Sequence, residues 1–154
     1  MGILINQKSY YKFDILKRKE VHILRVIIAG GRNFDDYKTL ESQCHGIFKQ
    51  LSDEGRTSPR IDDLDIEIVS GKARGADSLG ERFARQYGIN VKEFPAKWML
   101  YGKSAGYKRN EEMAKYAKEN NGVLIAFWDG VSKGTKHMID LAKKYNLDVY
   151  IVNY

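Results

Sequence analysis

LDIEIVSGKARGADSLGERFARQYGINVKEF, residues 64–94, is the stretch that decides the fold. It begins with an apolar run typical of a buried strand and ends with a second strand-like run, INVKEF (89–94). Between them, apolar side chains recur at every fourth position, which predicts a helix over 76–87. Strand, helix and strand in this order predict a right-handed βαβ unit and therefore a parallel sheet.

The same alternation runs through the chain from residue 25 onward. Apolar and β-branched runs predict strands at 25–30, 64–69, 89–94, 122–128 and 147–154. Helical spacing predicts helices at 35–55, 76–87, 104–119 and 135–146. We therefore predict an α/β fold of the Rossmann-like, doubly wound type, with a mostly parallel five-stranded sheet in the order 3-2-1-4-5.

The predicted domain covers residues 25–154, whereas residues 1–24 stand outside the alternation. We expect this N-terminal extension to form a hairpin, an added edge strand or a loosely held arm. The sequence contains no repeat, low-complexity tract or second domain that would divide the chain further.

The composition is that of an ordinary globular protein, with 43% hydrophobic and 30% charged residues in a chain of 154. The net charge of +6 permits an anionic ligand but does not by itself indicate nucleic acid. Cys44 is the one cysteine, which excludes an intramolecular disulfide, and its helical context predicts a buried side chain. The histidines show no metal-ligand spacing, and no apolar run approaches the roughly 20 residues of a membrane span. We expect a cytoplasmic protein with no metal, no cofactor and no membrane partner.

Four glycine-rich loops leave the carboxyl ends of the predicted strands, which is the edge where open α/β sheets bind ligands. They are GGRNF (30–34), SGKARGAD (70–77), PAKWMLYGKSAGYKRN (95–110) and DGVSKGT (129–135). Eight of the 14 glycines lie in these loops, and paired glycines allow the backbone to approach a ligand closely. Free amides and hydroxyls at the helix starts that follow favour an anion, so these loops predict a phosphate-binding crevice.

The residues that we expect to bind the ligand and its phosphate are Gly30, Gly31, Arg32, Ser70, Gly71, Arg74, Gly75, Asp77, Arg109, Asn110, Asp129, Gly130, Gly134 and Thr135. In this set Arg109 would grip a phosphate through its planar guanidinium. The aromatic residues that flank the same edge, and that could stack on a base, are Trp98, Tyr101 and Trp128.

Each loop also has a purely structural interpretation. The glycines could form tight turns, Asn33 or Asp35 could cap the first helix, and Thr135 could cap the fourth. Arg109 could pair with a glutamate of its own helix, and each aromatic residue could belong to the core. Asp77 would repel a phosphate, so we expect it to cap the second helix or to accept a hydrogen bond from a ribose hydroxyl.

Two common nucleotide-binding motifs are absent from the sequence. The fingerprint G-x-G-x-x-G does not follow the first strand, which argues against an ordinary nicotinamide dehydrogenase. The P-loop pattern G-x-x-x-x-G-K-[ST] is absent as well, and GVSKGTK (130–136) has its elements in the wrong order.

A family resemblance rests on four segments in a fixed order and spacing. VIIAGGRNFDD, VSGKARGADSLGERFARQYGINVKEFPAKW, YGKSAGYKRNEEMA and VLIAFWDGVSKGTKHMIDLAKKY resemble the YspA-like branch of the SLOG superfamily. The resemblance covers about residues 25–152 and leaves the N-terminal extension out. It implies a Rossmann-like fold that binds nucleotides or nucleotide-derived ligands.

One related group, the LOG nucleotide phosphoribohydrolases, implies an enzymatic alternative. Its PGGxGTxxE loop resembles DGVSKGTKHM here and aligns Gly134 and Thr135, and its arginine motif aligns Arg109. The catalytic glutamate of that group corresponds to Met138, and a thioether cannot perform the chemistry of a carboxylate. The resemblance thus implies a retained binding site without its usual catalytic group, for which the available replacements are Asp77, Asp129 and Glu111.

A second related group, DprA, implies binding of single-stranded DNA. Its SGxARGID motif is similar to SGKARGAD, and its RN motif is similar to Arg109-Asn110. The chain lacks the histidine that commonly follows that motif, and it has no strong basic stripe outside the N-terminus.

We therefore expect a protein that senses or sequesters a phosphorylated nucleotide derivative, of the ADP-ribose or nicotinamide-dinucleotide type. Hydrolysis of an N-glycosidic or phosphoribosyl bond is the first alternative, and DprA-like binding of single-stranded nucleic acid is the second. The partner that we expect is a small nucleotide-like ligand rather than nucleic acid. The resemblance also implies a homo-oligomer.

Overall fold

A five-stranded, wholly parallel sheet forms the centre of the computed structural model, which describes residues 22–59 and 65–154. The strands are β1 (Leu24–Gly30), β2 (Ile66–Ser70), β3 (Asn90–Glu93), β4 (Val123–Trp128) and β5 (Asp148–Asn153). Their order across the sheet is β3-β2-β1-β4-β5, which confirms the predicted order 3-2-1-4-5. The fold is an α/β Rossmann-like fold, as the alternating pattern predicts.

The helices connect these strands on both faces of the sheet. They are α1 (Tyr37–Asp53), α2 (Ala76–Gln86), the short α3 (Trp98–Tyr101), α4 (Ala105–Lys118) and α5 (Lys133–Lys144), with a 3-10 turn over Gly102–Ser104. The predicted helix at 104–119 is therefore preceded by a separate short helix that the sequence pattern did not indicate. The first and last residues of the other helices and of the strands differ from the predicted ones by at most two residues.

The three predicted helix caps are wrong. Asp36 caps α1, since its Oδ1 accepts a hydrogen bond of 3.0 Å from the Thr39 amide. Ser132 precedes α5, so Thr135 lies in its first turn, and Gly75 precedes α2 in the same way. Asp77 and Thr135 therefore lie inside their helices, where Asp77 Oδ2 accepts from the Ala73 amide and Thr135 Oγ1 lies 3.1 Å from Ser132 Oγ.

The sheet is buried on both faces because successive residues of its central strands point to opposite sides. Val26 and Ile28 of β1 pack on the side of α1 and α2, together with Phe83. Ile27 of β1 packs on the other side, in the cluster that contains Met113 of α4 and neighbouring residues of α5. Cys44 is fully buried on α1, as predicted, and burial raises the pKa of its thiol to about 12.

The strand order reverses at β1, which fixes the position of a crevice at the carboxyl edge of the sheet. Val26 pairs with Ile68 of β2 on one side and with Val123 of β4 on the other. The connection from β1 therefore runs to one half of the sheet, and the connection from β3 crosses to the other half. The loops after β1 and β4 separate at this point, which leaves a crevice at the carboxyl edge.

The predicted N-terminal extension lies almost wholly outside the described residues, and β1 itself begins at Leu24. Within the described ranges, no helix is long and apolar enough to cross a bilayer.

Candidate functional site: a crevice at the carboxyl edge of the sheet

A crevice of about 400 Å³ opens where the loops after β1 and β4 separate. Ten predicted site residues line it, namely Gly30, Gly31, Arg32, Asp77, Trp98, Arg109, Asn110, Asp129, Gly134 and Thr135. These residues come from all four glycine-rich loops, so the loops do converge on one cavity. Its volume is within the range of small-molecule sites.

The close approach of two loops depends on Gly75. This glycine has φ +81°, and a Cβ at its position would collide with the backbone of Gly31 and Arg32. The amide of Ala76 donates a hydrogen bond of 3.3 Å to the Gly31 carbonyl across the same contact. Only a residue without a side chain allows SGKARGAD to pack directly on the loop after β1.

Two side chains of SGKARGAD, Ser70 and Lys72, are bound to carboxylates of the neighbouring elements. Lys72 Nζ lies 3.0 Å from Glu81 and 3.2 Å from Glu93, and these ion pairs hold its ammonium away from the crevice. Ser70 Oγ donates a hydrogen bond of 2.7 Å to Glu81 and accepts one of 3.1 Å from the Lys72 amide. The charge of Lys72 is therefore balanced by two glutamates within the protein.

Arg109 lies at the centre of a polar network between α4 and the loops. Its Nη1 donates to the Gly71 carbonyl, and its Nε donates to Asn110 Oδ1 at 3.0 Å. Asn110 Nδ2 lies 3.3 Å from the Gly134 carbonyl, which connects α4 to the start of α5. This network orients the guanidinium toward the crevice, and burial lowers the pKa of Arg109 without removing its charge.

The alternative in which Arg109 pairs with a helical glutamate is not observed. Glu111 instead accepts a hydrogen bond of 3.1 Å from Tyr145 and lies 3.4 Å from Lys115. Glu111 does not line the crevice, so of the three carboxylates proposed to replace a catalytic glutamate, the crevice contains Asp77 and Asp129.

Asp77 is a buried carboxylate in the wall of the crevice, with 4% of its surface exposed. Burial raises its pKa to about 6, although the positive charge of Arg109 and the facing amides of Ala73 and Gly71 act in the opposite direction. Its Oδ2 accepts a hydrogen bond of 3.3 Å from the Ala73 amide. Asp77 and Arg109 are neighbours, yet no N–O distance between them is as short as an ion pair requires.

The start of α5 presents free amides to the crevice. Gly134 and Thr135 lie in the first turn, where backbone amides have no partner within the helix. The side chain of Thr135 is 4% exposed, and its Oγ1 lies 3.1 Å from Ser132 Oγ. Asp129 does not compete for these amides, because its Oδ1 already accepts from Val131 and Ser132, which lowers its pKa.

The three predicted aromatic residues have different environments. Trp98 lines the crevice and is half exposed, and Arg32 lies 6.0 Å from its ring. Tyr101 and Trp128 do not line it. Lys108 lies over the Tyr101 ring at 4.3 Å, and Trp128 Nε1 donates a hydrogen bond of 3.1 Å to the Ser132 carbonyl. Trp98 is thus the predicted aromatic residue that is placed to contact a ligand.

The remaining predicted residues surround the crevice. Gly71 and Arg74 line a neighbouring depression that shares Arg32, Trp98 and Arg109 with the crevice. The predicted residues that line neither of these two cavities are Ser70, Gly75, Gly130, Tyr101 and Trp128.

Sequence reasoning missed several residues of the crevice wall: Ala29, Asn33, Ala73, Lys103, Gly106, Tyr107, Met113, Ser132, Met138 and Tyr154. Tyr107 and Lys103 lie within the third glycine-rich loop, so the sequence pattern that identified this loop could also have indicated these two residues. Tyr154 carried no signal, because it enters the wall only through the position of β5 beside β4.

Comparison with known proteins agrees with this architecture. A family model described as the YspA, cpYpsA-related SLOG family matches residues 24–101, just over half of the chain. The chain belongs to this SLOG family. The match includes β1 and the whole of SGKARGAD, and it confirms the family that the four sequence segments indicated. Membership suggests a nucleotide-related binding or hydrolase role.

Two relatives extend the comparison of this SLOG protein. The Gene 61 protein of Mycobacterium phage D29 is 36% identical over 130 residues, which cover 81% of this chain and 93% of the phage protein. A phosphoglycolate phosphatase of Colwellia psychrerythraea is 24% identical over 98 residues, which cover 64% of this chain but 43% of that protein. No solved structure shows significant similarity to the chain.

The crevice carries no Glu at the position of the LOG catalytic residue. Met138 occupies that position at the cavity wall and is 1% exposed. Within residues 22–59 and 65–154, no group of acidic, His or Cys side chains is arranged to hold a metal ion. The charged groups in the wall of the crevice are the cations Arg32, Lys103 and Arg109 and the carboxylates Asp77 and Asp129, beside the free amides of α5.

Proposed function

We propose that the crevice binds a phosphorylated nucleotide derivative of the ADP-ribose or nicotinamide-dinucleotide type, which the protein senses or sequesters. The observation that carries the proposal is the position of Arg109 in the same crevice as the first turn of α5. A guanidinium and free helix amides are both ligands that phosphate prefers.

The other walls fit the remainder of such a ligand. Trp98 offers an exposed aromatic face at the rim, where a base could stack. Gly30 and Gly31 also line the crevice, and their missing side chains leave room for Phe127, Ala76 and the Tyr154 hydroxyl. The phosphatase relative carries a phosphorylated substrate in its name, which agrees with an anion-binding crevice in this chain.

Isothermal titration with ADP-ribose, NAD and AMP tests the proposal. We expect binding by the native protein, and Arg109→Ala to weaken it roughly 10- to 100-fold, as expected for a hydrogen-bonded charge. The matched control is Lys108→Ala, which removes the same charge from an exposed neighbour that does not line the crevice. Failure of the folded native protein to bind any of the three nucleotides would overturn the proposal.

Arg109 also contributes to the structure, because it donates to the Gly71 carbonyl. Arg109→Lys keeps the positive charge beside Asp77 but loses the planar fork that binds phosphate in a bidentate manner. We expect this variant to keep the melting temperature of the native protein and to lose affinity. Unchanged affinity in a folded Arg109→Lys protein would show that the guanidinium does not contact the phosphate.

Hydrolysis of an N-glycosidic or phosphoribosyl bond is a second candidate function, and one observation favours it. Asp77 is a buried carboxylate of the crevice, and its pKa of about 6 suits a group that transfers a proton near neutral pH. Incubation with NAD, AMP and ADP-ribose, followed by chromatography of the products, tests this candidate. Release of free base by the native protein but not by Asp77→Asn would support it, whereas stable nucleotides would leave binding as the function.

A further inference from the structure

Phosphate binding does not account for the presence of Asp77 in the crevice. Its carboxylate lines the cavity and is almost fully buried, where an ionised group needs hydrogen-bond donors. The donors within the protein are few, since the Ala73 amide is 3.3 Å away and the Gly71 amide faces the same carboxylate. A carboxylate has about four acceptor positions, so capacity remains for a donor on the ligand.

The chemistry of a carboxylate restricts which part of a nucleotide it can contact. A phosphate carries the same sign of charge and offers acceptors, so it would be repelled. An apolar ring face would leave the buried carboxylate without a hydrogen bond, which is costly. A hydroxyl group donates a hydrogen bond and brings no charge, so a sugar hydroxyl satisfies Asp77.

Asp77 and Arg109 stand close together in the wall of the crevice, as the ribose and the phosphate of one nucleotide would require. The point where a Cβ of Gly71 would stand lies 2.7 Å from Arg109 Nη1 and 2.8 Å from Asp77 Oδ2. The cation and the anion are therefore close neighbours without being an ion pair. In a 5′-nucleotide the ribose hydroxyls lie only a few bonds from the phosphate, whereas the donors of the base lie farther away.

We infer that Asp77 accepts hydrogen bonds from the ribose hydroxyls of the ligand, so that the crevice selects ribonucleotide derivatives over their deoxyribose counterparts. The inference rests on the proposed function, since it takes Arg109 as the phosphate ligand. Asp129 also lines the crevice, but it is exposed, so water can satisfy its remaining acceptor positions, whereas the buried Asp77 has no such donor. A site that accepts a hydrogen bond from a ligand hydroxyl discriminates strongly against the deoxy analogue, because the buried acceptor is then left without a hydrogen bond.

Titration calorimetry of the native protein with paired probes gives the first test. The pairs are AMP with 2′-deoxy-AMP and with 3′-deoxy-AMP, and ribose 5-phosphate with 2-deoxyribose 5-phosphate. We expect the ribose form to bind roughly 10- to 100-fold more tightly in at least one pair, which is the usual value of a hydrogen bond to a charged group. Equal affinities for both members of every pair would overturn the inference while leaving the proposed function in place. A protein that binds ADP-ribose but none of these probes would overturn the inference alone, and a folded protein that binds neither these probes nor ADP-ribose and NAD would overturn both.

Variants give the second test. In Asp77→Asn we expect the preference for ribose to fall to about threefold or less, because the charged acceptor is gone. Glu112→Gln, an exposed charge change on α4 outside the crevice, should keep the preference of the native protein. Asp77→Ser provides a second variant if the amide disturbs folding. An undiminished preference in a folded Asp77 variant would show that another group recognises the hydroxyl, which also overturns the inference.

Discussion

Asp77 links the stability of the protein to pH at the scale of a single residue. Burial raises its pKa from 3.8 to about 6, so the folded state disfavours the ionised form. A raised carboxyl pKa stabilises the folded protein fully below pH 3.8, and this contribution is lost as the pH rises through 6. The loss is roughly 3 kcal/mol, from the size of the shift.

Asp77→Asn removes this titration and should therefore change the pH dependence of stability. We expect the free energy of unfolding of the variant, relative to the native protein, to rise by roughly 3 kcal/mol between pH 4 and pH 6 and then to level off. Urea unfolding at pH 3.5, 5, 6 and 7.5 measures the difference. A difference that does not vary with pH would contradict the raised pKa.

Two glycines of one loop should respond differently to alanine. At Gly75, φ +81° and the collision with the Gly31 backbone predict a loss of roughly 1–3 kcal/mol in the free energy of unfolding. At Gly71, the new Cβ would meet the side-chain ends of Arg109 and Asp77 rather than backbone, at 2.7 and 2.8 Å. We expect Gly71→Ala to keep stability within about 1 kcal/mol and to weaken ADP-ribose binding about tenfold, because the guanidinium must move.

Urea unfolding and titration with ADP-ribose on both variants distinguish these effects. Loss of stability in Gly71→Ala that equals the loss in Gly75→Ala would show that both glycines serve the turn. The pair separates site from scaffold within SGKARGAD, which the sequence alone could not do because both residues are glycines of one loop.

At the scale of the secondary-structure element, helix α5 both packs on the sheet and lines the crevice with its first turn. Its first turn contains Gly134, which lines the crevice and has open space where a Cβ would stand. Glycine is a poor helix former, so its presence in this turn costs stability that alanine would restore. In return, glycine at this position lets a ligand approach the helix amides closely.

Gly134→Ala should therefore raise stability slightly and weaken binding. We expect the melting temperature to be unchanged or higher, while affinity for ADP-ribose falls, because the methyl group occupies space beside the amides. The matched control is Gly46→Ala in α1, which is exposed, also has open space around it, and lies away from the crevice. That control should gain roughly 0.5–1 kcal/mol with unchanged binding. If Gly134→Ala binds ADP-ribose as tightly as the native protein does, the phosphate does not lie against the first-turn amides of α5.

At the scale of the whole molecule, part of the positive charge is balanced by neighbouring carboxylates. Cations that form ion pairs with carboxylates on the described surface include Arg25, Lys49, Arg56, Lys72, Lys115 and Lys136. An acid-free basic segment lies at residues 94–110, beside the crevice. Such a distribution suits a small anion in the crevice better than a long strand along the surface.

We accordingly expect weak binding to single-stranded oligonucleotides. A gel-shift assay across a salt series should show complexes at low salt that disappear by about 150 mM, because few phosphate contacts are available. A complex that persists at this salt concentration would favour the DprA-like alternative and would direct mutation to Lys97, Lys103 and Lys108. The homo-oligomeric state and the cytoplasmic location stay predictions, and light scattering on the purified protein measures the former.

The sequence by itself determined the layered fold, because the periods of its apolar residues are local properties. Val26 to Ala29 had to lie in a strand buried on both faces, and the alternation of strands and helices restricted the connections to right-handed crossovers. The convergence of the four glycine-rich loops on one crevice also followed from the sequence, since carboxyl ends of parallel strands meet at one edge.

Only the tertiary structure decided which residues of those loops face the crevice. Lys72 and Arg109 are both basic residues of glycine-rich loops, yet Lys72 is held by Glu81 and Glu93, whereas Arg109 reaches the cavity. Asp77 acquires its pKa from burial, and Tyr154 joins the wall from the far end of the chain. These outcomes depend on contacts between residues distant in sequence, and the spacing of residues along the chain does not specify such contacts.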